Sequence, residues 1–558
     1  MPAEGIVQPC ATGLRTSAGD KQADEFISAT HPDSMASLTT SPPSPAPAEC
    51  ARGASNQGAS STYLQILKSS ALIGGSTALN LSIGLIRTKA MAMILGPAGF
   101  GLMGAFTSIV DLSRSVVAMG ISNSGVRQIA ESVGSEDVDR IARTVYVLRR
   151  VAVVLGVLGA LMLVMFSGQV SAFTFGSDAH RGAIAVLSFA VLFRLVSEGQ
   201  SALLQGMRRI GDMARIAISG AVVGTVVSVP LVYWLREDGI ALSLVAVAAM
   251  TALMSWRYSR RIQVVRPMLT STQLKREAGD LFKLGFAFMA SGLLMMSSAY
   301  AVRVILIRVE GLDAAGLFQS AWALGGLYVG FVLQAMGADF YPRLVGAIKN
   351  DAEANRLVNE QAQVSLLLAG IGVLATLAFA PLAVAILYST EFSASVEVLR
   401  WICIGMMLRV FTWPMGYIIV ARNAQRIFFA TELAWAIFNV TASWLCIKWF
   451  GLKGAGIAFF ASYVFHGLLI YPIVRSLTGF RWSRDNLKLV AVVFATVALT
   501  FTSNYLLPGG WSLAFATLTT GVFGLYAVRC LAVLVPPEQL PPRFQRIFGL
   551  FRMARLGK

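Results

Sequence analysis

"GPAGFGLMGAFTSIV" (Gly96–Val110) and "GLDAAGLFQSAWALG" (Gly311–Gly325) match one another at an offset of about 215 residues. A second pair keeps nearly the same offset. "RIGDMARIAISGAVVG" starts at Arg209 and leads, after one span, to "LREDGIALSL"; "RNAQRIFFATELAWAI" starts at Arg422 and leads to "GLKGAGIAFF". A common offset at separate places is the mark of an internal duplication, here Tyr63 to Arg266 and Lys275 to Arg475.

The duplicated unit belongs to a membrane. Of 558 residues, 56% are hydrophobic and 13% charged, with a mean hydropathy of +0.66, too apolar for a soluble chain of this length. At about 20 apolar residues per span, helices are expected near 70–94, 98–122, 150–169, 183–206, 216–235, 239–257, 281–305, 315–339, 364–388, 396–420, 427–449, 454–474, 487–507 and 511–535. The expected fold is an all-α polytopic membrane protein with about 14 transmembrane helices, as two pseudo-symmetric six-helix bundles plus a C-terminal helix pair. In residues, this is a disordered cytoplasmic tail (1–62), an N-terminal bundle (63–270), a C-terminal bundle (271–480), the extra pair (481–536) and a basic cytoplasmic tail (537–558).

Orientation follows from the basic loops. Arg208, Arg209 and Arg215, the run from Arg257 to Arg276, Arg422 with Arg426, and Arg475 to Lys488 fall on one side, whereas the opposite loops are short and poorer in positive charge. The positive-inside rule puts both termini in the cytoplasm, and six spans per copy give the two copies the same orientation. The net charge of +17 is spread over these loops and the C-terminal tail, so it reads as topology and contact with anionic lipid, not nucleic acid.

No catalytic group, cofactor or metal site emerges. The five cysteines and three histidines are scattered, and there is no GxSxG, Walker A or HExxH pattern. Without nucleotide motifs, transport has to draw on an ion gradient, the membrane potential or the substrate gradient.

What stands out is charge inside the spans. An arginine at mid-helix costs about 2.5–3.5 kcal/mol on insertion scales, so several of them require a wet cavity or a partner. Arg194, Glu198, Ser201 and Gln205 lie on one face of the fourth span, and Arg409 on the tenth span is its counterpart. Arg87, with Lys89 nearby, ends the first span as Arg303 ends the seventh; Asp111 and Arg114 lie on the second. These arginines either snorkel or pair with Asp111 and Glu198, or they line a cationic cavity in which guanidinium groups hold phosphate through bidentate bonds. Glu432, with Asn439 and Ser443, marks a face of the eleventh span, and Asp111, Glu198 and Glu432 are the candidates for proton or sodium coupling.

The opening block, "LKSSALIGGSTALNLSIGLIRTKAMAMILGPAGFGLMGAFTSIVDLSRSVVAMGISNSGVRQIAE" (Leu67–Glu131), resembles the polysaccharide-biosynthesis transporters. These are the Wzx-type O-antigen or enterobacterial-common-antigen flippases of the multidrug/oligosaccharidyl-lipid/polysaccharide exporter superfamily, whose fold is MATE-like. The resemblance, over about Tyr63 to Arg475, implies a bacterial inner-membrane protein, not an enzyme, that moves undecaprenyl-diphosphate-linked oligosaccharide to the periplasmic leaflet by alternating access. It implies a basic cavity, which Arg87, Lys89, Arg114, Arg194, Arg303 and Arg409 fit, and as partners the polymerase and ligase of the same pathway. The chain departs from that pattern in its extra helix pair and long N-terminal tail. A drug/cation antiporter of the superfamily and a lipid II flippase are the alternatives; the first needs buried carboxylates without basic neighbours. A polytopic glycosyltransferase or polymerase needs a large outer loop that the sequence lacks.

Overall fold

A computed structural model describes residues 49–135, 137–262 and 270–534. The chain divides into two units, Met1–Leu64 and Gln65–Lys558, and the architecture below is that of the second. Of the expected tails, residues 1–48 and 535–558 lie outside the described residues, as does the junction at 263–269 between the bundles; the helical run of the first helix begins at Glu49.

Every regular element among the described residues is helical. In chain order these are α1 (Glu49–Ala118), α2 (Ile121–Gly134), α3 (Val138–Met165), α4 (Ser167–Phe175), α5 (Arg181–Gly206), α6 (Ile210–Leu235), α7 (Asp238–Ser259), α8 (Ser271–Ala335), α9 (Tyr341–Ala347), α10 (Asp351–Ala378), α11 (Ala380–Leu387), α12 (Ser395–Ala421), α13 (Gln425–Phe450), α14 (Leu452–Thr478), α15 (Arg484–Leu506) and α16 (Gly509–Leu534). The order from α1 to α7 recurs from α8 to α14: a broken long helix, a short one, a long one, a short one, then three long ones. The turns recur as well. Arg208 and Asn423 share a left-handed φ (53° and 56°), as do Arg236 and Gly451 (53° and 59°), and both pairs keep the offset of the quoted blocks.

Twelve described helices are long and apolar enough to cross a membrane. Two of these, Leu79–Ala118 and Gly292–Gln334, run for 40 and 43 residues, about twice what a bilayer of roughly 30 Å needs at 1.5 Å per residue. Each breaks at a glycine: Gly96 has φ 64° and ψ −174°, and Gly311 φ 91° and ψ −179°. Only glycine enters that region without a Cβ clash, and Pro97 removes a backbone donor just beyond the first break. The arms fold back on each other, since Arg303 before the break donates to Gln319 after it, within α8. Divided at their glycines, the twelve give the fourteen spans expected.

Several boundaries differ from expectation; α8, for example, starts at Ser271, where the seventh span was expected at 281–305. The third and ninth spans were expected at 150–169 and 364–388; the helices instead start at Val138 and Asp351 and pass into the separate short helices α4 and α11. Their first turns carry charge ("VDRIARTVYVLRR", "DAEANRLVNEQ"), so a hydropathy window starts them too late.

The second arms of α1 and α8 cross where neither backbone has room for a side chain. A Cβ on Gly101 would lie 2.1 Å from the Leu312 carbonyl oxygen, and one on Gly316 would lie 1.9 Å from that of Pro97. Gly101 and Gly316 are themselves equivalent, so the copies meet on their own symmetry axis. Beside this crossing, at the end of the molecule that holds the two breaks, Phe100 packs edge-on against Tyr388 and Phe392, each at 5.7 Å. Arg308 donates to the Ala172 and Phe173 carbonyls at the end of α4, and Lys89 Nζ to the Ile386 carbonyl at the end of α11, 2.7 Å away. Each copy thus caps the C-terminus of the other's short helix with a cation, which favours the cation through the helix dipole. These contacts join the two copies at the break end. The last pair, α15 and α16, joins the second copy's core through Val493, Val497 and Phe523, the last filling the space beside Gly370.

The crossing predicts that Gly316→Ala lowers the thermal unfolding midpoint in detergent, by the equivalent of about 1–3 kcal/mol for overpacking. Gly521→Ala, with nothing within 4 Å of its added Cβ, leaves the midpoint unchanged or slightly raised.

Candidate functional site

The back-folded arms of α1, with α5, α6 and α7, surround a cavity of about 630 Å³ in the first copy. Its ionisable lining is Arg87, Asp111, Arg114, Arg194 and Glu198. The second arm of α1 and α5 face each other with opposite charge order, so the groups pair crosswise: Arg114 Nη1 donates to Glu198 Oε1 at 2.5 Å, and Arg194 Nη1 to Asp111 Oδ1. These four side chains keep a quarter to a third of their surface exposed, 25–34%, so both pairs face an open cavity. Arg114 and Glu198 also line a neighbouring cavity of about 360 Å³, with Ser201 and Gln205 further along its wall. The polar row on α5 is therefore one wall of a continuous path.

Arg87 behaves differently. It is half-buried, lines the main cavity, and has no carboxylate within ion-pair distance among the described residues. It also lines an adjoining cavity of about 440 Å³ with Asn80 and Thr88. Three cations and two anions leave the main cavity with a net charge of +1.

The remaining expected residues lie elsewhere. Arg303 donates through Nη1 to the Gly104 carbonyl at 2.9 Å and through Nη2 to Gln319 Oε1, which ties the two copies together, since Gly104 and Gln319 are equivalent positions. Arg409 sits in the second copy with its guanidinium 4.6 Å over the Trp413 ring and 5.8 Å over Tyr463. Arg303 and Arg409 line a separate cavity of about 310 Å³. Lys89 is held at the break end by Ile386. Glu432 is half-buried, within electrostatic range of Arg409 but without an ion pair among the described residues, while Asn439 and Ser443 on its helix line the second cavity. No group of three or more His, Cys, Asp or Glu able to hold a metal occurs among the described residues.

Sequence reasoning treated Arg87 and Arg303 as equivalent. The breaks show otherwise, because Arg87 lies nine residues before Gly96 and Arg303 eight before Gly311. One residue is about 100° around a helix, so Thr88 is the true counterpart of Arg303, and the two arginines face different cavities. Gln319, Trp322, Trp435 and Tyr463 were missed, since a lone amide or aromatic residue in an apolar helix looks like packing.

Known proteins resemble this chain in sequence and fold. The family described as "Polysaccharide biosynthesis protein" covers residues 90–397, more than half of the chain. The lipid III flippases of Escherichia coli (strain K12) and Shigella flexneri are each 22% identical over 409 residues, spanning 72% of this chain and 96% of theirs. Among solved structures, an inward-facing multidrug resistance MATE family transporter of the MOP superfamily superposes with a TM-score of 0.60 at 14% identity, over 71% of this chain and 95% of its own. The lipid II flippase MurJ, in an inward closed conformation, gives 0.59 at 13% identity, over 82% and 99%. At such identities the likeness is one of fold.

The crossed pairs predict that Arg194→Ala costs about 1–2 kcal/mol of stability, a figure held down by the pair's partial exposure. Arg194→Ala combined with Asp111→Ala costs less than the sum of the two single substitutions in a thermal double-mutant cycle. Strictly additive losses would contradict the pairing.

Proposed function

The chain belongs to the polysaccharide biosynthesis protein family, and from that premise we propose that it flips undecaprenyl-diphosphate-linked oligosaccharide across the bacterial inner membrane for surface polysaccharide synthesis. The observation that carries this reading is Arg87, a cation without an ion-pair partner among the described residues, in a cavity of net charge +1. Such a cavity favours a diphosphate and disfavours an organic cation, which speaks against the drug antiporter alternative. Lipid II shares the diphosphate and is separated from the proposed substrate by competition in the same assay.

In this proposal the diphosphate docks on Arg87, and Arg114 and Arg194, already oriented by Glu198 and Asp111, add guanidinium donors as they turn to it. Turning releases the two carboxylates, which then become able to take up a proton or sodium ion. With the basic loops and both termini assigned to the cytoplasm by the positive-inside rule, the contacts that join the copies at the break end lie toward the periplasm, and the lipid-linked substrate is proposed to enter from the cytoplasmic leaflet. Opening of the break end and closure of the other completes alternating access. Moving about two negative charges outward at about 100 mV gains roughly 4–5 kcal/mol, so the membrane potential suffices to bias the flip. The polymerase and ligase of the same pathway are the proposed recipients of the product.

The test is translocation of a fluorescent undecaprenyl-diphosphate oligosaccharide in proteoliposomes. Arg87→Ala is expected to reduce flipping about tenfold, or about 1.4 kcal/mol, and Arg87→Lys to retain part of it. Unchanged flipping by Arg87→Ala at matched reconstitution removes the basis of the proposal.

A further inference from the structure

The second copy repeats the backbone of the first but not its chemistry. At the position equivalent to Glu198 stands Trp413, Gly326 replaces Asp111, and Tyr463 replaces Ala248. The cavity of about 310 Å³ is lined by Phe318, Trp322, Trp435, Phe459 and Tyr463, with Asp111 of the first copy as its one carboxylate among the described residues, and its volume lies within the roughly 300–1,000 Å³ of small-molecule sites. Trp322 stands edge-on to Phe459 at 5.0 Å, and Trp435 lies beside Tyr463 at 5.9 Å.

Polar atoms face these rings without partners. Trp435 Nε1 and Arg303 Nε are buried donors with no acceptor among the described residues. Asn439 Nδ2 donates to Ser298 Oγ at 2.9 Å. Buried donors are normally satisfied, so they point to an acceptor that arrives with a ligand. A lipid tail offers none. Arg303 has committed its Nη atoms, so a second phosphate would find only the fork of Arg409 among five aromatic rings. A sugar ring meets both demands: its apolar C–H face packs on the electron-rich faces of aromatic rings, and its hydroxyls both donate and accept. Asp111 lines this cavity and the ionic one alike, so the two adjoin there.

We propose that the aromatic cavity of the second copy is the glycan subsite, taking the saccharide while the ionic cavity of the first copy takes the diphosphate; this rests on the flippase reading. Trp435 and Asn439 are its recognition residues.

Native mass spectrometry of the full chain in nanodiscs tests it, with sugar-free undecaprenyl diphosphate and the lipid-linked saccharide pool extracted from producing cells as the two probes. Wild type is expected to bind the saccharide-bearing lipid more tightly. Trp435→Leu weakens that binding about tenfold and leaves binding of the sugar-free lipid unchanged, which also shows that the variant is folded. Trp435→Phe, which keeps a ring but loses the N–H, falls between. The subsite is overturned if Trp435→Leu weakens neither probe or both alike, or if wild type holds the sugar-free lipid as tightly as the saccharide-bearing one. Wild type that binds neither probe overturns the flippase reading itself, and the subsite with it.

Discussion

A guanidinium inside a hydrocarbon slab has to find water, a carboxylate, a carbonyl or a ring face, and the interior of this protein is arranged around five such groups. The first copy answers with carboxylates, pairing Arg114 with Glu198 and Arg194 with Asp111. At the junction of the copies Arg303 uses a backbone carbonyl and an amide. In the second copy Arg409 uses aromatic faces. Arg87 is left to the cavity, and there the arrangement invites an anion. Each unpaired cation would cost about 2.5–3.5 kcal/mol in lipid, so the back-folded arms that keep Arg87 beside open volume are a condition of its presence.

The architecture was largely legible because duplication leaves a constant offset. The breaks at Gly96 and Gly311, the turns at Arg208 and Asn423, and the crossing at Gly101 and Gly316 all keep it. What escaped was local. The charged first turns of α3 and α10 extend helices beyond the apolar stretch that hydropathy detects, and α4 and α11 merge with their neighbours in composition. The candidate site was half legible. Charge in a span announces itself, so all the paired residues were in view, but which arginine meets which carboxylate depends on the facing of two helices distant in sequence. A one-residue error in equivalence was enough to put Arg87 and Arg303 on the same footing. Trp435 and Tyr463 gave no signal, because aromatic residues in membrane helices are ordinary core.

Duplication followed by divergence explains how one backbone supports two chemistries. The close glycine crossing and the exchanged cation caps on α4 and α11 preserve the symmetric frame at the break end. Away from the axis the copies are free to differ, and they do so at matched positions: Glu198 against Trp413, Asp111 against Gly326. A headgroup that is ionic at one end and saccharide at the other suits a chamber divided in that way.

The most direct measurement of the central claim is equilibrium binding of three sugar-free probes to the purified protein: undecaprenyl diphosphate, undecaprenyl monophosphate and the organic cation tetraphenylphosphonium. A cavity of net charge +1 with a free guanidinium predicts that the diphosphate binds most tightly, the monophosphate more weakly and the cation least, with the preference between the two phosphates much reduced in Arg87→Ala. Tighter binding of the cation than of either phosphate would contradict the account.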